Sequence, residues 1–290
     1  MRIHHLNCGS MHPVSRRLTN GTGGLFEAAT LTCHCLLVET NRGLVLIDSG
    51  FGMRDLADPV AVLGRRFLRL ARPALDPDET AVRQVNRLGY QPTDVRHIVL
   101  THLDVDHVGG ISDFPWATVH LHAREHDAAT RRPTSGERRR YRPNQWDHGP
   151  SWTTYDETNG DDWFGFASVH QLVDLPPQIL LIPLAGHSRG HSGVAIDTGA
   201  GWLLHAGDTY FYRGEIDPNR PHCPMGLRMS GNLAQFDRQA RHANLDRLRC
   251  IRATPNHPVE VFCAHDPDEF ARYSSPAAIN APEDGSRRAG

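Results

Sequence analysis

Thr101-His102-Leu103-Asp104-Val105-Asp106-His107-Val108-Gly109-Gly110 sets two histidines and two carboxylates within six residues, directly after the apolar run Ile98-Val99-Leu100. Imidazole nitrogens and carboxylate oxygens hold borderline and hard divalent metals, so both kinds packed this tightly point to a metal site. A strand ending at Thr101 delivers all four side chains to one loop at a sheet edge. One histidine in a polar turn is an ordinary satisfied side chain. Two of them interleaved with two aspartates are not explained that way.

Three further apolar runs end on polar residues of the same kinds. Leu180-Leu181-Ile182-Pro183-Leu184 leads into Ala185-Gly186-His187-Ser188-Arg189-Gly190-His191-Ser192, Trp202-Leu203-Leu204-His205-Ala206-Gly207-Asp208 ends on a carboxylate, and Val259-Glu260-Val261-Phe262-Cys263-Ala264-His265-Asp266 ends on His-Asp. In this order and spacing the chain resembles the metallo-β-lactamase superfamily over roughly residues 1–270. The resemblance implies an α/β fold, a four-layer αββα sandwich, and two divalent metal ions per chain. Carried over by position, it places His102, Asp104 and His187 on the first metal, Asp106, His107 and His265 on the second, and Asp208 between them. Asp48, in Leu46-Ile47-Asp48-Ser49-Gly50, matches the family's supporting aspartate beneath the site, and His191 is placed as a second supporting donor. His205 and His257 are not expected among the ligands.

One position departs from the family pattern. Asp104 stands where most members carry the second histidine of His-x-His-x-Asp-His. Aspartate is shorter than histidine, so either the metal moves toward the loop or a water fills the gap. The added negative charge weakens Lewis acidity and admits iron(II) or manganese beside zinc, the first expectation.

At 290 residues the chain can bury a large core, and no linker divides it, so residues 1–274 are expected to form a single domain. The net charge of −2 excludes a basic field for nucleic acid. All 31 basic residues are Arg, which excludes Schiff-base chemistry on lysine, hence lysine-dependent aldolases and pyridoxal-phosphate enzymes. No apolar segment has the length of a membrane span and the first residues lack a signal-peptide pattern, so a cytoplasmic protein without membrane partners is expected. Cys8, Cys33, Cys35, Cys223, Cys250 and Cys263 then read as reduced thiols.

Along the chain, Cys35–Thr40 and Leu44–Asp48 flank the turn Asn41-Arg42-Gly43 and read as a hairpin. Asp76-Pro77-Asp78-Glu79 reads as a capped helix start that Gly89 closes. Val62, Leu63, Phe67, Leu68 and Leu70 suggest an amphipathic helix over 54–75 that covers the site or makes a homodimer contact. Ala117–His122 alternates like a half-buried strand, with His120 and His122 on a polar face. Residues 131–162, rich in Arg, Pro, Gly, Trp and Tyr, show no period and are expected to be a lid inserted over the metals. Within them Arg138-Arg139-Arg140 reads as a solvated charge run, with an anion clamp as the alternative. Asn232–Leu248 reads as a helix with Leu233, Phe236, Ala240, Ala243 and Leu248 in the core, and Ser275–Gly290 as a flexible tail.

What the resemblance implies about activity is a metal-dependent hydrolase of ester bonds. A hydroxide shared by two ions attacks the substrate carbonyl while Asp106 orients it, and Tyr210 or Tyr212 is placed as a donor to the oxyanion. Lactone-hydrolysing members carry a tyrosine three residues after the bridging Asp, where this chain has Phe211. β-Lactam hydrolysers are usually exported and lack the bridging Asp, and glyoxalase II-like thioesterases carry a helical domain after the last ligand, whereas 25 residues follow His265 here. The remaining likeness is to quorum-quenching lactonases, with a small acyl-homoserine-lactone-like substrate. The alternatives are a non-heme diiron redox protein, suggested by Asp104, a hydrolase of another small ester, thioester or phosphoester, and a binding protein that has lost turnover.

Overall fold

Six strands lie side by side in chain order in the first of two sheets: β1 (Ile3–Met11), β2 (Leu31–Thr40), β3 (Gly43–Ile47), β4 (Val95–Val99), β5 (Thr118–His122) and β6 (Ser151–Tyr155). β1 to β3 pair antiparallel, β2 with β3 through the Asn41-Arg42-Gly43 turn, and β3 to β6 run parallel. In the second sheet β7 (Asp161–Trp163), β8 (Phe166–Gln171), β9 (Ile179–Pro183), β10 (Ser192–Asp197), β11 (Trp202–His205) and β12 (Val259–Phe262) again follow chain order, with only β11 and β12 parallel. The structure is a computed structural model that describes residues 1–158 and 160–274; the tail expected over Ser275–Gly290 lies outside the described residues.

The period-two alternation of each strand builds the layers. Leu36, Val38, Val45, Ile47 and Val99 meet Ile179, Leu181, Val194, Ile196, Leu203 and Phe262 between the sheets. The opposite sides of the same strands face helices. Cys35, Leu37, Leu46 and Ile98 pack with Ala81, Val85, Ala128 and Ala129, and Leu180, Ile182, Leu204 and Val261 pack with Leu245, Leu248 and Ile251. The result is the helix-sheet-sheet-helix sandwich.

Several local expectations change. Asp76 caps a 3-10 turn, Pro77–Glu79, not a helix, because Thr80 turns extended and Glu79 reaches across to accept from the Ser10 backbone N–H at 2.6 Å. The helix restarts at Ala81 and ends at Arg87. Residues 54–75 hold three short helices, broken by Asp58 and by Gly64 at φ 85°. His120 and His122 are buried, not on a polar face: His120 bonds to His97 and Tyr155, and His122 accepts from Arg124 N–H. Asn232–Leu248 spans a break between the helices Met225–Ala234 and Arg238–Ala253. Leu233 and Phe236 are exposed there, and the buried face is Arg241, Asn244, Leu245, Leu248 and Ile251. Residues 131–162 contain the helix Ser135–Arg140, all of β6 and the start of β7.

Candidate metal centre

Five strand ends converge on one point. Asp48 directly follows β3, His102 stands three residues past β4, His187 four past β9, Asp208 three past β11 and His265 three past β12. The Ser192 N–H donates to the Thr101 carbonyl, tying the sheets together beside the cluster. Asp104 opens a single helical turn, Val105–Val108, that carries Asp106 and His107 back toward β4. Gly207, at φ 53°, lets Asp208 leave β11, since a Cβ there would lie 2.6 Å from His191 Nε2.

Asp208 divides its two oxygens between two groups. Its Oδ2 lies 3.7 Å from His102 Nε2 and 3.4 Å from His187 Nε2, and Asp104 Oδ2 lies 3.4 Å and 3.0 Å from the same two nitrogens. Its Oδ1 lies 3.4 Å from His107 Nε2 and 3.0 Å from His265 Nε2; those nitrogens are 3.3 Å apart, and Asp106 Oδ2 is 3.6 Å from His265 Nε2. A tetrahedron with bonds of about 2.1 Å has edges of about 3.4 Å, so the first group, and in the second the trio His107, His265 and Asp208, have the spacing of a ligand set around one cation, while Asp106 reaches His265 from outside that trio. His102 Nε2 and Asp208 Oδ1 are buried and make no hydrogen bond, an arrangement that a bound cation satisfies. The Cys33 thiol lies beside Asp106 and His265 within the same reach.

Supporting contacts fix the rings. His107 Nδ1 donates to Asp48 Oδ2 at 2.8 Å, and Asp48 also accepts from the Thr101 N–H and hydroxyl at 2.7 and 2.8 Å, which holds it at φ 52°. That leaves His107 Nε2 free for a ligand role. Burial opposes charge on His107, but Asp208 and then Asp48 push its pKa well above the ordinary value, so the carboxylates draw positive charge to this point. His187 is pushed down to about 4 by burial and by Arg140, which keeps its imidazole neutral. His191 donates from Nδ1 to the Leu184 carbonyl at 3.1 Å and accepts the Asp208 N–H on Nε2 at 2.9 Å, so it positions the Asp208 backbone. His205 bonds to the His34 carbonyl and the Gly207 N–H, and His257 accepts from the Val259 N–H; neither belongs to the two groups.

Two contributors escape the motif reading. Glu125, fully buried on the helix Ala123–Arg131, accepts from Leu103 N–H, Tyr141 hydroxyl, Ser188 hydroxyl and Gly190 N–H, clasping the loops that carry His102 and His187. Arg140 is not solvated like Arg138 and Arg139. Its guanidinium pairs with Asp104 and donates to the His187 and Ala234 carbonyls. The capping box Thr134–Glu137 was a legible signal for the helix that presents it. Burial would raise the Asp104 carboxyl, but Arg140 first and then His102 and His187 hold it well below the usual range.

Tyr210 corrects the expected oxyanion donor. The Tyr210 hydroxyl donates to Glu269 at 3.0 Å inside the core, and Tyr212 packs edge-on against His222 and under Arg213. The aromatic ring beside the cluster is Phe211, stacked on His265 and edge-on to His187.

Glu269 carries a pH-linked consequence. Burial pushes its pKa up to about 7 from an ordinary 4.5. The folded state therefore keeps this proton while the unfolded chain releases it. The stability it contributes is complete below about pH 4.5 and is lost as pH rises to about 7, about 3 kcal/mol in all at roughly 1.36 kcal/mol per unit. Glu269→Gln should flatten that slope, so urea midpoints of the two proteins should separate at pH 8 in favour of the variant. Parallel midpoints from pH 5 to 8 would sink the assignment.

Residues 29–256 match the metallo-beta-lactamase superfamily. A probable metallo-hydrolase of Mycobacterium tuberculosis is 42% identical over 270 residues, 93% of this chain and 82% of the relative. An N-acyl homoserine lactonase of Bacillus cereus is 24% identical over 254 residues, 87% of this chain and 88% of its own. The solved structure of an N-acyl homoserine lactone hydrolase, with the product N-hexanoyl-L-homoserine at its catalytic metal center, has a TM-score of 0.67 at 20% identity. The match covers 93% of this chain and 95% of that one, and it shows a shared fold.

Proposed function

Because the chain belongs to the metallo-β-lactamase superfamily of metallohydrolases, we propose that it is a dinuclear metal-dependent hydrolase that opens a small lactone or ester of the acyl-homoserine-lactone kind. The observation that carries the reading is Asp208, whose two oxygens face two separate groups of imidazole and carboxylate donors. Two divalent ions held there would supply Lewis acidity and a water acidified to near neutral pH. His102, Asp104 and His187 would hold one ion and Asp106, His107 and His265 the other. Zinc is the first candidate, and the carboxylate of Asp104 admits iron or manganese.

The chain's own residues do the rest. Asp106, at the rim of the second group, has a carboxylate that can orient the attacking water as well as ligate. Phe211 offers an apolar face between His187 and His265 and no hydrogen-bond donor, which suits the hydrocarbon part of a lactone. Residues 131–162 cover one flank through Arg140. No helix among the described residues is long and apolar enough to cross a membrane, and all six cysteines are unpaired, which supports action in the cytoplasm on a small molecule.

Elemental analysis of the purified full chain, followed by a panel of acyl-homoserine lactones, simple lactones, aryl esters, thioesters and phosphoesters, tests the reading. Two metals per chain and pH-stat acid release from a lactone are expected. Turnover confined to thioesters or phosphoesters, or bound iron with peroxide or oxygen reduction and no ester cleavage, would overturn it.

A further inference from the structure

Asp104 presents its oxygens to different partners. Oδ2 faces His187 Nε2 at 3.0 Å and His102 Nε2 at 3.4 Å, while Oδ1 lies 3.1 Å from Arg140 Nε. The guanidinium cannot drift from that place. Nη1 donates to the His187 carbonyl at 2.6 Å, Nη2 donates to the Ala234 carbonyl at 2.5 Å, and Nη2 also lies 3.3 Å from His187 Nε2. The helix beneath it is held by the Thr134–Glu137 capping box and by the bonds from Arg189 to Glu137 at 2.7 and 3.1 Å. Arginine's planar fork suits two carbonyl hydrogen bonds made together with an ion pair to Asp104 Oδ1, which a lysine would not make. Arg140 therefore comes from a segment remote from the motif, reaches the one position where the motif departs from its family, and brings the opposite charge.

We propose that Arg140 is the positioning residue and counter-charge of Asp104, so that the Asp104–Arg140 pair presents one oxygen to the first metal group with the charge of a neutral imidazole. The inference rests on the metal-binding reading above. A carboxylate ligand commonly needs such an outer partner, whose loss costs about 10–100-fold in metal affinity. Coulomb's law adds a second effect: with Asp104 removed, Arg140 is an unmatched cation a few Å from where a divalent ion would sit, and it repels that ion.

A double-mutant cycle separates pairing from a generic structural role. The parent, Asp104→His, Arg140→Met and the double variant are stripped, refolding is checked by circular dichroism, and zinc and manganese affinities are measured by chelator competition. His102→Ala marks which equivalent belongs to the first group. Asp104→His alone should lose at least tenfold in first-group affinity, and adding Arg140→Met should recover at least tenfold of that loss. A double variant that binds no better than Asp104→His overturns the proposal, since Arg140 then acts only through the His187 and Ala234 carbonyls. Arg140→Gln, which keeps an amide donor for those carbonyls, serves the same cycle if the Met variant does not fold. A parent that binds no metal sinks the hydrolase reading instead. The pair is then decided by unfolding of the four metal-free proteins, where coupling of tenfold or more in the unfolding constant supports it and additivity overturns it.

Discussion

Asp208→Ala should empty both metal groups at once and remove turnover. The carboxylate is the one side chain shared by the two groups, with Oδ2 3.4 Å from His187 Nε2 and Oδ1 3.0 Å from His265 Nε2. Its removal would leave each group one donor short, and two ions held there would face one another without the negative charge between them. Burial opposes its ionisation, but His265, His107 and His187 hold its pKa well below the usual value, so it is an anion throughout the working range. Lewis-acid stabilisation is worth several kcal/mol, and at roughly 1.36 kcal/mol per tenfold its loss lowers kcat/KM by about 10³ or more. His107→Ala is the contrast: it breaks only the second group and should release one equivalent of metal. Elemental analysis after dialysis against a weak chelator reads both. Two tightly retained metals in Asp208→Ala would refute the bridge.

The four strand-end motifs made the candidate ligands readable because each depends on a local rule. An apolar run ends, and the polar residues after it stand at the sheet edge, as His102, His187, Asp208 and His265 do. The hairpin of β2 and β3 was equally local. Tyr210 shows the limit of that reading: it lies two residues past Asp208, yet its hydroxyl is buried against Glu269, because the chain turns between them and the next ring, Phe211, takes the place beside the cluster. Leu233 and Phe236 fitted a helical core pattern but fall at a helix break, where Gln235 turns extended and the Phe236 N–H donates to the Gly186 carbonyl. Arg140 and Glu125 were not legible as parts of the site. Their contacts span 47 residues to His187 and 63 to Ser188, and no local pattern encodes such distances. β6 was hidden for a related reason. As the last strand of its sheet, it has four of five positions exposed or half-buried, with only Tyr155 buried, and gives little hydrophobic period.

Glu125→Ala should cost the most stability of any single change near the site. Its carboxylate is wholly buried and takes four donors, Leu103 N–H at 3.1 Å, Tyr141 hydroxyl at 3.0 Å, Ser188 hydroxyl at 2.6 Å and Gly190 N–H at 3.0 Å. Each donor left buried and unpaired costs about 1–3 kcal/mol, so the loss is on the order of 5 kcal/mol or more, against about 5–15 kcal/mol for a whole domain. The effect is directional as well. Leu103 lies between His102 and Asp104, and Ser188 and Gly190 follow His187, so the loops that part are those of the first metal group, while His107 and His265 keep their own supports in Asp48 and the Thr32 carbonyl. Glu125→Gln keeps the shape and can satisfy three donors, since the Ser188 hydroxyl can turn to accept from the new amide; only one N–H remains opposed, for about 1–3 kcal/mol. Urea unfolding of metal-free protein should therefore order parent, Gln and Ala with a wide final step, and in the Gln variant the first metal should weaken before the second. If the Ala variant unfolds within 1 kcal/mol of the parent, on the order of a single hydrogen bond, water has replaced the carboxylate and Glu125 does not hold the two loops together.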